Sequence, residues 1–322
     1  MNSGSPNLAE DGATGGREGS DALRFLSLRL RRLRDRAAAA HLSTWSVAAR
    51  IGASGVRRRI PGLRAVAVPL HAHGPLVLAD LSTPMGRALY RYGFSPPEVQ
   101  LVRTVLRPGD VFIDGGAHIG MFTLVGAAAV GRTGRVIACE PVPENVQLLK
   151  ANLELNRFEW VDVFNGALAE HAGTGELFSF GAEAGLSSFA PATQAGTRRL
   201  VVDLRSLDEI GSAHLARVRL VKLDIEGAEV KALSGATELL RSQPDFLVEV
   251  EREHLARQGS GTDEMHAIFS GAGYVGYEIQ EIGSSVVLVR LDDWSKHRKN
   301  PNVFVSARPP SALPCPLVSG PN

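Results

Sequence analysis

Two groups of polar residues in this chain have the spacing of ligand-binding and proton-transfer sites. The first is the run Val111-Phe-Ile-Asp-Gly-Gly-Ala-His-Ile-Gly120, in which an apolar strand ends at Asp114 and a glycine turn follows. Such a turn lets a ligand approach bare backbone, and the helix predicted to open at Ile119 offers free N–H groups and a positive dipole end. A carboxylate at the strand tip suits a ligand that carries a cationic group, whereas a pyrophosphate would want only donors there.

S-adenosylmethionine carries both an ammonium and a sulfonium group, so it suits this turn. The segment from Asp114 to Gly120 matches the pattern D-x-G-x-x-x-G, and it departs from the dinucleotide pattern G-x-G-x-x-G because Ala117 stands where the second glycine is required. Glu140, at the end of the next predicted strand, could accept both ribose hydroxyls of a nucleoside. Asn165, at the end of the third strand, could reach the adenine edge, although Asn-Gly is equally typical of a plain turn.

The second group is Lys222-Leu-Asp-Ile-Glu-Gly-Ala-Glu229, which follows an apolar run, together with acids and a histidine after the next strand. Ligands of open α/β sheets bind at the carboxyl ends of the strands. Acids at that edge are costly unless they are solvated, paired or used in chemistry. The candidates for a catalytic role near the methyl acceptor are Asp224, Glu226, Glu249 and His254.

A structural interpretation of the second group stays open. Glu229 could simply favour a helix N-terminus, Lys222 could neutralise Asp224, and His254 could be a surface residue at the start of a helix. Neighbouring carboxylates could also bind Mg²⁺, although nothing in the spacing requires a metal and no metal ligands are assigned.

Strands and helices alternate from residue 111 onwards. Strand-like runs at 111–114, 135–140, 161–165, 220–224 and 246–250 are separated by helix-length stretches at 119–130, 143–156 and 227–240. This order favours a parallel sheet covered on both faces. After a helix near 262–272, the runs 274–280 and 285–291 lie four residues apart and predict an antiparallel hairpin. The expected fold is therefore α/β, with parallel strands finished by an antiparallel hairpin.

The chain divides into five predicted regions. These are a disordered tail (1–20), an Arg-rich helical extension (21–59), an N-terminal cap with a few strands and one helix (60–108), the main domain (109–306) and a loose proline-rich tail (307–322). A Gly/Ser/Ala-rich loop at 181–196 interrupts the main domain and could cover the ligand as a lid. The stretch 21–40 has a leucine stripe, which would dock on the main domain or, alternatively, rest on an anionic membrane surface.

Composition limits the classes of function. The formal net charge is +1, so no overall field attracts nucleic acid. Cys139 and Cys315 are the two cysteines, which make neither a disulfide framework nor a metal cluster and favour a reducing cytoplasm. The N-terminus lacks the apolar run of a signal peptide, and no 18-residue apolar stretch follows, so secretion and membrane spanning are not expected.

Taken together, these motifs resemble the FkbM family of S-adenosylmethionine-dependent methyltransferases over roughly residues 85–306. His118 departs from the family pattern, which usually has Asn there. The most distinctive stretch is Lys-x-Asp-x-Glu-Gly-x-Glu. The resemblance rests on residues 109–120, Glu140-Pro-Val-Pro143, Asn165-Gly-Ala-Leu168, 222–229, Glu249, Gly273-Tyr274 and Asn302-Val-Phe-Val305.

The resemblance implies a class I methyltransferase-type, Rossmann-like sheet that binds S-adenosylmethionine. It also implies O-methylation of a hydroxyl on a sugar, polyketide or other secondary metabolite. A nicotinamide-dependent oxidoreductase and a non-catalytic scaffold that binds S-adenosylmethionine are the alternatives. The predicted cofactor-binding residues are Asp114, Gly116, Ala117, His118, Gly120, Glu140 and Asn165.

Overall fold

The structure is a computed structural model that describes residues 65–180, 187–188, 197–297 and 301–318. The predicted tail 1–20, the extension 21–59 with its Arg-rich helix, and all but two residues of the loop 181–196 lie outside the described residues. Within the described ranges, no helix has the length and apolar character needed to cross a bilayer.

A hairpin and two helices precede the main sheet. Strand β1 (Ala65–Pro69) pairs antiparallel with β2 (Leu76–Asp80), and helices α1 (Pro84–Tyr92) and α2 (Pro97–Val105) follow. The sequence predicts a single helix here. Gly93, with φ +72°, ends the first helix and the chain turns before the second. Each helix begins with proline. Proline has no N–H group, and this is no loss in the first turn of a helix, where an N–H has no partner within the helix.

The remaining elements follow in chain order. The strands are β3 (Val111–Gly115), β4 (Arg135–Cys139), β5 (Val161–Phe164), β6 (Gly166–Leu168), β7 (Gly173–Phe180), β8 (Ser187–Ser188), β9 (Thr197–Arg205), β10 (Val218–Leu223), β11 (Asp245–Glu249), β12 (Val275–Ile282), β13 (Ser285–Leu291), β14 (Asn302–Ser306) and β15 (Leu317–Val318). The helices are α3 (Met121–Val130), α4 (Pro143–Asn156), α5 (Leu207–Gly211), α6 (Glu229–Ser234), α7 (Thr237–Arg241), α8 (Arg252–Arg257) and α9 (Thr262–Gly271). Short 3-10 turns span Ser212–Arg217, Trp294–Lys296 and Pro310–Ala312.

The central sheet has the strand order β5-β4-β3-β10-β11-β14-β12-β13-β15. Its first five strands, from β5 to β11, are parallel to one another. The carboxyl ends of parallel strands meet at one edge, so the residues that follow β3, β4, β10 and β11 face a common crevice. The predicted α/β fold, a class I methyltransferase-type sheet of parallel strands with an antiparallel hairpin, is confirmed.

The antiparallel part of the sheet is larger than predicted. The hairpin of β12 and β13 is present, but β14 lies between β11 and β12 and is antiparallel to both. Residues 303–305 of β14 are all fully buried, so the strand shows no alternation of polar and apolar residues. The region from 307, predicted to be loose, contributes β15, which pairs with β13, and Cys315 is buried.

Alternate side chains of the sheet enter two apolar layers. Phe112 and Leu220 pack with the helices α2, α3 and α4 on one face. Ile113 and Val221 pack with α5 to α9 on the other. All four are at most 1% exposed, and burial of each such side chain stabilises the fold by about 1.5–3 kcal/mol. The two layers hold the strand ends in fixed register, which positions the polar residues that follow them.

A second, smaller sheet interrupts the alternation after β5. Its strand order is β6-β9-β7-β8. Arg198 of β9 makes two hydrogen bonds to the carboxylate of Glu144 at the start of α4, both of 2.7 Å. This bidentate pair ties the small sheet to the helix that follows β4. Leu177 of β7 consequently reaches the crevice.

The stretch 227–240, predicted as one helix, is broken into α6 and α7. Gly235 lies between them, and only glycine fits there because a Cβ would lie 2.5 Å from the carbonyl oxygen of Glu170. Asp208 of α5 accepts hydrogen bonds from the N–H groups of Glu238 and Leu239, and so caps α7 from a distant part of the chain. Both features are tertiary contacts, which helical periodicity does not reveal.

The insertion of β14 yields a prediction about stability. Ser306 Oγ donates to Oδ1 of the fully buried Asp245 at 2.7 Å, and Arg308 Nη2 lies 2.6 Å from Oδ2. Arg308→Gln should lower the free energy of unfolding by about 3 kcal/mol, because a buried carboxylate loses its ion-pair partner. Urea unfolding measures this. Arg290→Gln, which breaks the exposed pair with Asp292, should leave the unfolding curve unchanged, and equal effects of the two substitutions would contradict the account.

Candidate active site

A cavity of about 610 Å³ opens at the carboxyl ends of β3, β4 and β10. Its volume is typical of small-molecule sites. Seven of the predicted site residues line it: Asp114, Gly116, Ala117, His118, Glu140, Asp224 and Glu226. The other four, Gly120, Asn165, Glu249 and His254, do not line it.

The turn after β3 requires glycine because it lies against the end of β10. Gly116 has φ +74°, and a Cβ there would be 1.8 Å from the backbone oxygen of Asp224. His118 is also left-handed, with φ +50°, a conformation in which Asn and His are enriched. Helix α3 begins at Met121 with Gly120 as its N-cap, so the prediction that it opens at Ile119 is wrong by two residues.

The N–H groups of this turn donate hydrogen bonds to acceptors within the protein. Gly116 and Ala117 both donate to the carbonyl oxygen of Cys139 at 3.0 Å, and His118 donates to Glu140 Oε2 at 2.8 Å. These three N–H groups precede the predicted helix start, so the expectation of free N–H groups at the helix N-terminus stays a prediction. The turn instead brings backbone close to the cavity, beside the carboxylates of Asp114 and Glu140.

Asp114 is fully buried at the tip of β3. Thr123 Oγ1 donates a hydrogen bond to Oδ2 at 2.6 Å, while Oδ1 accepts none in the protein and lies 3.5 Å from Lys222 Nζ. Burial raises the pKa of Asp114, and the charge of Lys222 and the hydrogen bond from Thr123 oppose this rise. A buried carboxylate oxygen that lacks a hydrogen bond, on the wall of a cavity, can accept a cationic ligand group.

Lys222 is buried between two carboxylates. Its Nζ lies 3.5 Å from Asp114 Oδ1 and 3.4 Å from Asp224 Oδ2, and it donates to the Gly115 carbonyl oxygen at 3.3 Å. Burial by itself lowers the pKa of Lys222, but the charges of Asp224 and Asp114 outweigh it and the pKa is raised. The structure thus supports the alternative in which Lys222 neutralises Asp224, and it adds Asp114 to the same contact.

Glu140 follows β4 and is 4% exposed. Its Oε1 accepts hydrogen bonds from Val142 N at 3.0 Å and Asn145 Nδ2 at 3.1 Å, and Oε2 accepts from His118 N. Burial raises the pKa of Glu140, and these hydrogen bonds oppose the rise. A carboxylate offers about four acceptor positions, so Glu140 can cap the start of α4 and still accept a ligand hydroxyl.

Asn165 lies between β5 and β6 and is exposed. The three residues that follow it, Gly166, Ala167 and Leu168, line the cavity in its place. A contact between Asn165 and an adenine edge stays a prediction. The end of the third strand does border the cavity as expected, but through small and apolar residues.

Glu226, Glu249 and His254 form a compact group beside the cavity. His254 Nδ1 lies 3.0 Å from Glu226 Oε2 and 3.3 Å from Glu249 Oε2. Only Glu226 of the three lines the cavity, next to Asp224, whose side chain is 38% exposed. The ligand atoms of the three residues lie within 4.8 Å of one another, which would also permit a metal ion.

The turn that carries Glu226 is held from two sides. Glu226 and Gly227 both have positive φ, +58° and +100°, and a Cβ on Gly227 would lie 2.2 Å from the carbonyl oxygen of His254. Glu229 Oε1 accepts hydrogen bonds from Ile225 N at 2.8 Å and Gly227 N at 3.3 Å. Glu229 therefore has the structural role that the sequence left open, and it fixes Glu226 at the cavity.

Burial favours the neutral forms of this group. It raises the pKa of Glu226 to about 7, with contributions from Asp224 and Glu229. It also raises the pKa of Glu249 and lowers that of His254. Ionised carboxylates next to Nδ1 would raise the pKa of His254, but burial keeps both glutamates largely protonated below neutral pH. A carboxyl group that titrates near pH 7 is well suited to general-base chemistry.

Several cavity residues were not found from the sequence. Asn145 of α4 and Glu98 of α2 line the cavity and are buried, and the aromatic rings of Phe94 and Phe122 form part of its wall. None of them belongs to a motif with recognisable spacing. Glu98 and Phe94 come from the N-terminal region, whose position over the sheet is decided by tertiary packing.

Two solved structures show a related arrangement of elements. The chain is similar to the methyltransferase FkbM from Methylobacillus flagellatus KT, at 18% identity over 68% of this chain and 52% of that chain, with a TM-score of 0.39. It is also similar to a SAM-dependent O-methyltransferase from Thermotoga maritima, at 14% identity over 76% and 85% of the two chains, with a TM-score of 0.36. Likeness at this level supports no statement about the activity.

Two relatives in sequence each match about two fifths of the chain. The chain is 28% identical to methyltransferase sdnD of Sordaria araneosa over 162 residues, which are 41% of this chain and 62% of that protein. It is 28% identical to methyltransferase 1 of Beauveria bassiana strain ARSEF 2860 over 148 residues, which are 40% of this chain and 59% of that protein. The match thus spans about three fifths of these relatives. The sequence profile of the methyltransferase FkbM domain matches residues 114–275, half of the chain and all the predicted site residues. The chain therefore belongs to the FkbM methyltransferase family.

Proposed function

We propose that this protein transfers a methyl group from S-adenosylmethionine to a hydroxyl group of a small molecule. One observation carries the proposal. Asp114 and Glu140, which suit the cofactor, and Glu226, which suits proton transfer, line the same cavity at the ends of adjacent strands. Family membership favours this function over the nicotinamide-dependent alternative.

The cofactor half of the cavity fits S-adenosylmethionine chemically. The Oδ1 atom of Asp114 is buried and accepts no hydrogen bond in the protein, so it can accept one from the ammonium of the amino-acid end. Glu140, at the end of the next strand, retains about one acceptor position, which suits one of the two ribose hydroxyls. Gly116 leaves the space between them free of side chain, and Gly166 to Leu168 border the position expected for the base.

The acceptor half supplies a place for the hydroxyl proton. When bound, S-adenosylmethionine supplies an electrophilic methyl group: the acceptor oxygen forms the C–O bond while the C–S bond breaks and leaves its electron pair on sulfur. Glu226 takes the proton from the hydroxyl. His254 Nδ1, 3.0 Å from Glu226 Oε2, orients that carboxylate, and Glu249 Oε2 lies 3.3 Å from the same nitrogen. Asp224 is a second group at the acceptor, while Lys222 offsets its charge.

The proposal extends to the setting of the reaction. The acceptor would be a hydroxylated secondary metabolite such as a polyketide or a sugar. Both cysteines are free and buried, which fits a reducing cytoplasm. No step described here needs Mg²⁺, although Glu226, Glu249 and His254 are close enough to hold an ion.

The cofactor assignment predicts the effect of two substitutions. Asp114→Asn and Glu140→Gln should each weaken binding of S-adenosylhomocysteine about 10-fold to 100-fold, because each removes a charged acceptor worth about 1.5–3 kcal/mol. Isothermal titration calorimetry measures this. Glu154→Gln, an exposed acid on α4 outside the cavity, is the matched control and should bind as the wild type does. Unchanged affinity in both site variants, or tight binding of NADH, would refute the assignment.

Glu226 should make stability depend on pH. In the unfolded chain its pKa is 4.5, and in the folded protein it is about 7. Between these values the unfolded chain releases the proton first, so the folded state loses stability as pH rises through this window. As pH rises from 4.5 to 8, the free energy of unfolding of Glu226→Gln should increase by on the order of 1–3 kcal/mol relative to that of the wild type. Glu253→Gln, an exposed acid on α8, should show no such gain, and equal pH curves for wild type and Glu226→Gln would rule out the raised pKa.

Glu226 should also control the methyl-transfer rate. The test substrate is the compound, from a panel of alcohols, phenols and glycosides, that gives the fastest release of S-adenosylhomocysteine. With this substrate, Glu226→Gln should lower kcat by about 10²-fold or more. Affinity for the cofactor should not change. His254→Gln should shift the pH at which the rate rises and reduce kcat less. If Asp224→Asn abolished turnover while Glu226→Gln did not, Asp224 would be the base instead.

A further inference from the structure

The N-terminal helices give the cavity an apolar wall. Met85 of α1, Phe94 and Pro96 from the turn between α1 and α2, and Met121 and Phe122 of α3 all line it. Met85 is 36% exposed and the other four are half-buried, so considerable apolar surface faces the cavity. Apolar surface left open to water is unfavourable unless a ligand covers it.

This apolar wall is built in a fixed shape. The N–H of Phe94 donates to the carbonyl oxygen of Leu70 at 2.6 Å. Gly93 has φ +72°, and there is no room for a side chain because a Cβ there would lie 2.7 Å from the same oxygen. The rings of Phe94 and Phe122 pack edge to face with centroids 5.4 Å apart. Pro96 and Pro97 restrict the backbone that follows. A rigid surface of this kind pays little ordering entropy when a ligand binds.

The apolar wall itself contributes no hydrogen-bonding side chain. The polar residues Glu98 and Asn302 line the same cavity, and each interacts with another group of the protein. A molecule with many hydroxyls would need several hydrogen-bonding side chains along its length, whereas the five wall residues present hydrocarbon, ring and thioether surface. The carboxylates of Asp224 and Glu226 line the same cavity and can meet a single hydroxyl.

The apolar wall also differs in origin from the cofactor half. Met85, Phe94 and Pro96 precede the segment 114–275 that matches the family profile, whereas Asp114 and Glu140 fall within it. The matched segment thus provides the cofactor contacts together with Met121 and Phe122, and the region before it provides the rest of the surface on which an acceptor would lie.

We propose that this wall is the acceptor subsite and that the acceptor is an alcohol or phenol with a hydrocarbon body. This inference rests on the proposed function. The hydrocarbon body lies against Phe94, Phe122 and Met85, and the hydroxyl reaches Glu226. The proposal selects lipophilic acceptors over free sugars among the hydroxylated compounds that the chemistry allows.

Binding of simple alcohols to the full chain saturated with S-adenosylhomocysteine tests the subsite. Saturation-transfer NMR should show binding of 1-butanol, 1-hexanol and 1-octanol, with affinity rising about threefold to fourfold per added methylene. Methyl β-D-glucopyranoside should not compete. Affinity that is independent of chain length, or a glucoside that binds as well as 1-octanol, would overturn the proposal.

Variants assign the binding to the wall. Phe94→Ala and Met85→Gln should each weaken 1-octanol at least fivefold, and Met85→Gln changes a partly exposed side chain and should leave the fold intact. Leu148→Gln, an exposed apolar residue on α4 outside the cavity, is the control and should have no effect. Unchanged affinity in both wall variants would contradict the proposal. Calorimetry with S-adenosylhomocysteine alone distinguishes failure of the subsite from failure of the proposed function. If the wild-type protein does not bind S-adenosylhomocysteine, the proposed function is refuted, whereas the alcohol titrations test the subsite.

Discussion

The buried ammonium group of Lys222, held between Asp114 and Asp224, is the contact on which the rest of the site depends. Three charged groups at the ends of two central strands would be costly unless they stayed within a few ångströms of one another. Gly116 makes this possible, because any side chain there would collide with the backbone of Asp224. The distance between the two halves of the cavity is therefore set by one ion-pair cluster and one glycine.

The parts of the site that the sequence predicted are those with a local cause. A buried strand that ends in a polar residue leaves a pattern within about six positions, and β3, β4, β10 and β11 all have it. Asp114, Glu140, Asp224 and Glu249 could therefore be placed at one edge of the sheet before their contacts were known. Gly116 was visible for the same reason, since it lies in a turn that tolerates no side chain, whereas Gly227 was predicted to begin a helix.

What the sequence did not predict depends on segments that meet only in the folded chain. The β14 strand has no polar alternation because both of its faces are covered, and α7 begins where Asp208, about 30 residues earlier, caps it. The donation of the Gly116 and Ala117 N–H groups to Cys139 requires the register of β3 against β4. The apolar wall of the cavity likewise arises from residues near 90 that carry no chemical motif.

The cavity joins two kinds of surface with different roles. Buried carboxylates with raised pKa values and a left-handed turn hold charge at one end, at some cost in stability. Rigid apolar side chains from the preceding helices form the other. Such a division is what an in-line displacement needs, because it fixes a charged donor and a partly apolar acceptor on opposite sides of the reacting atoms.

A crystal structure of the protein with S-adenosylhomocysteine tests the central claim most directly. The account predicts that the amino-acid nitrogen lies within hydrogen-bonding distance, about 3 Å, of Asp114 Oδ1, with a ribose hydroxyl on Glu140. A complex in which the amino-acid end lies away from Asp114, or in which a diphosphate-bearing ligand occupies that strand tip, would contradict it.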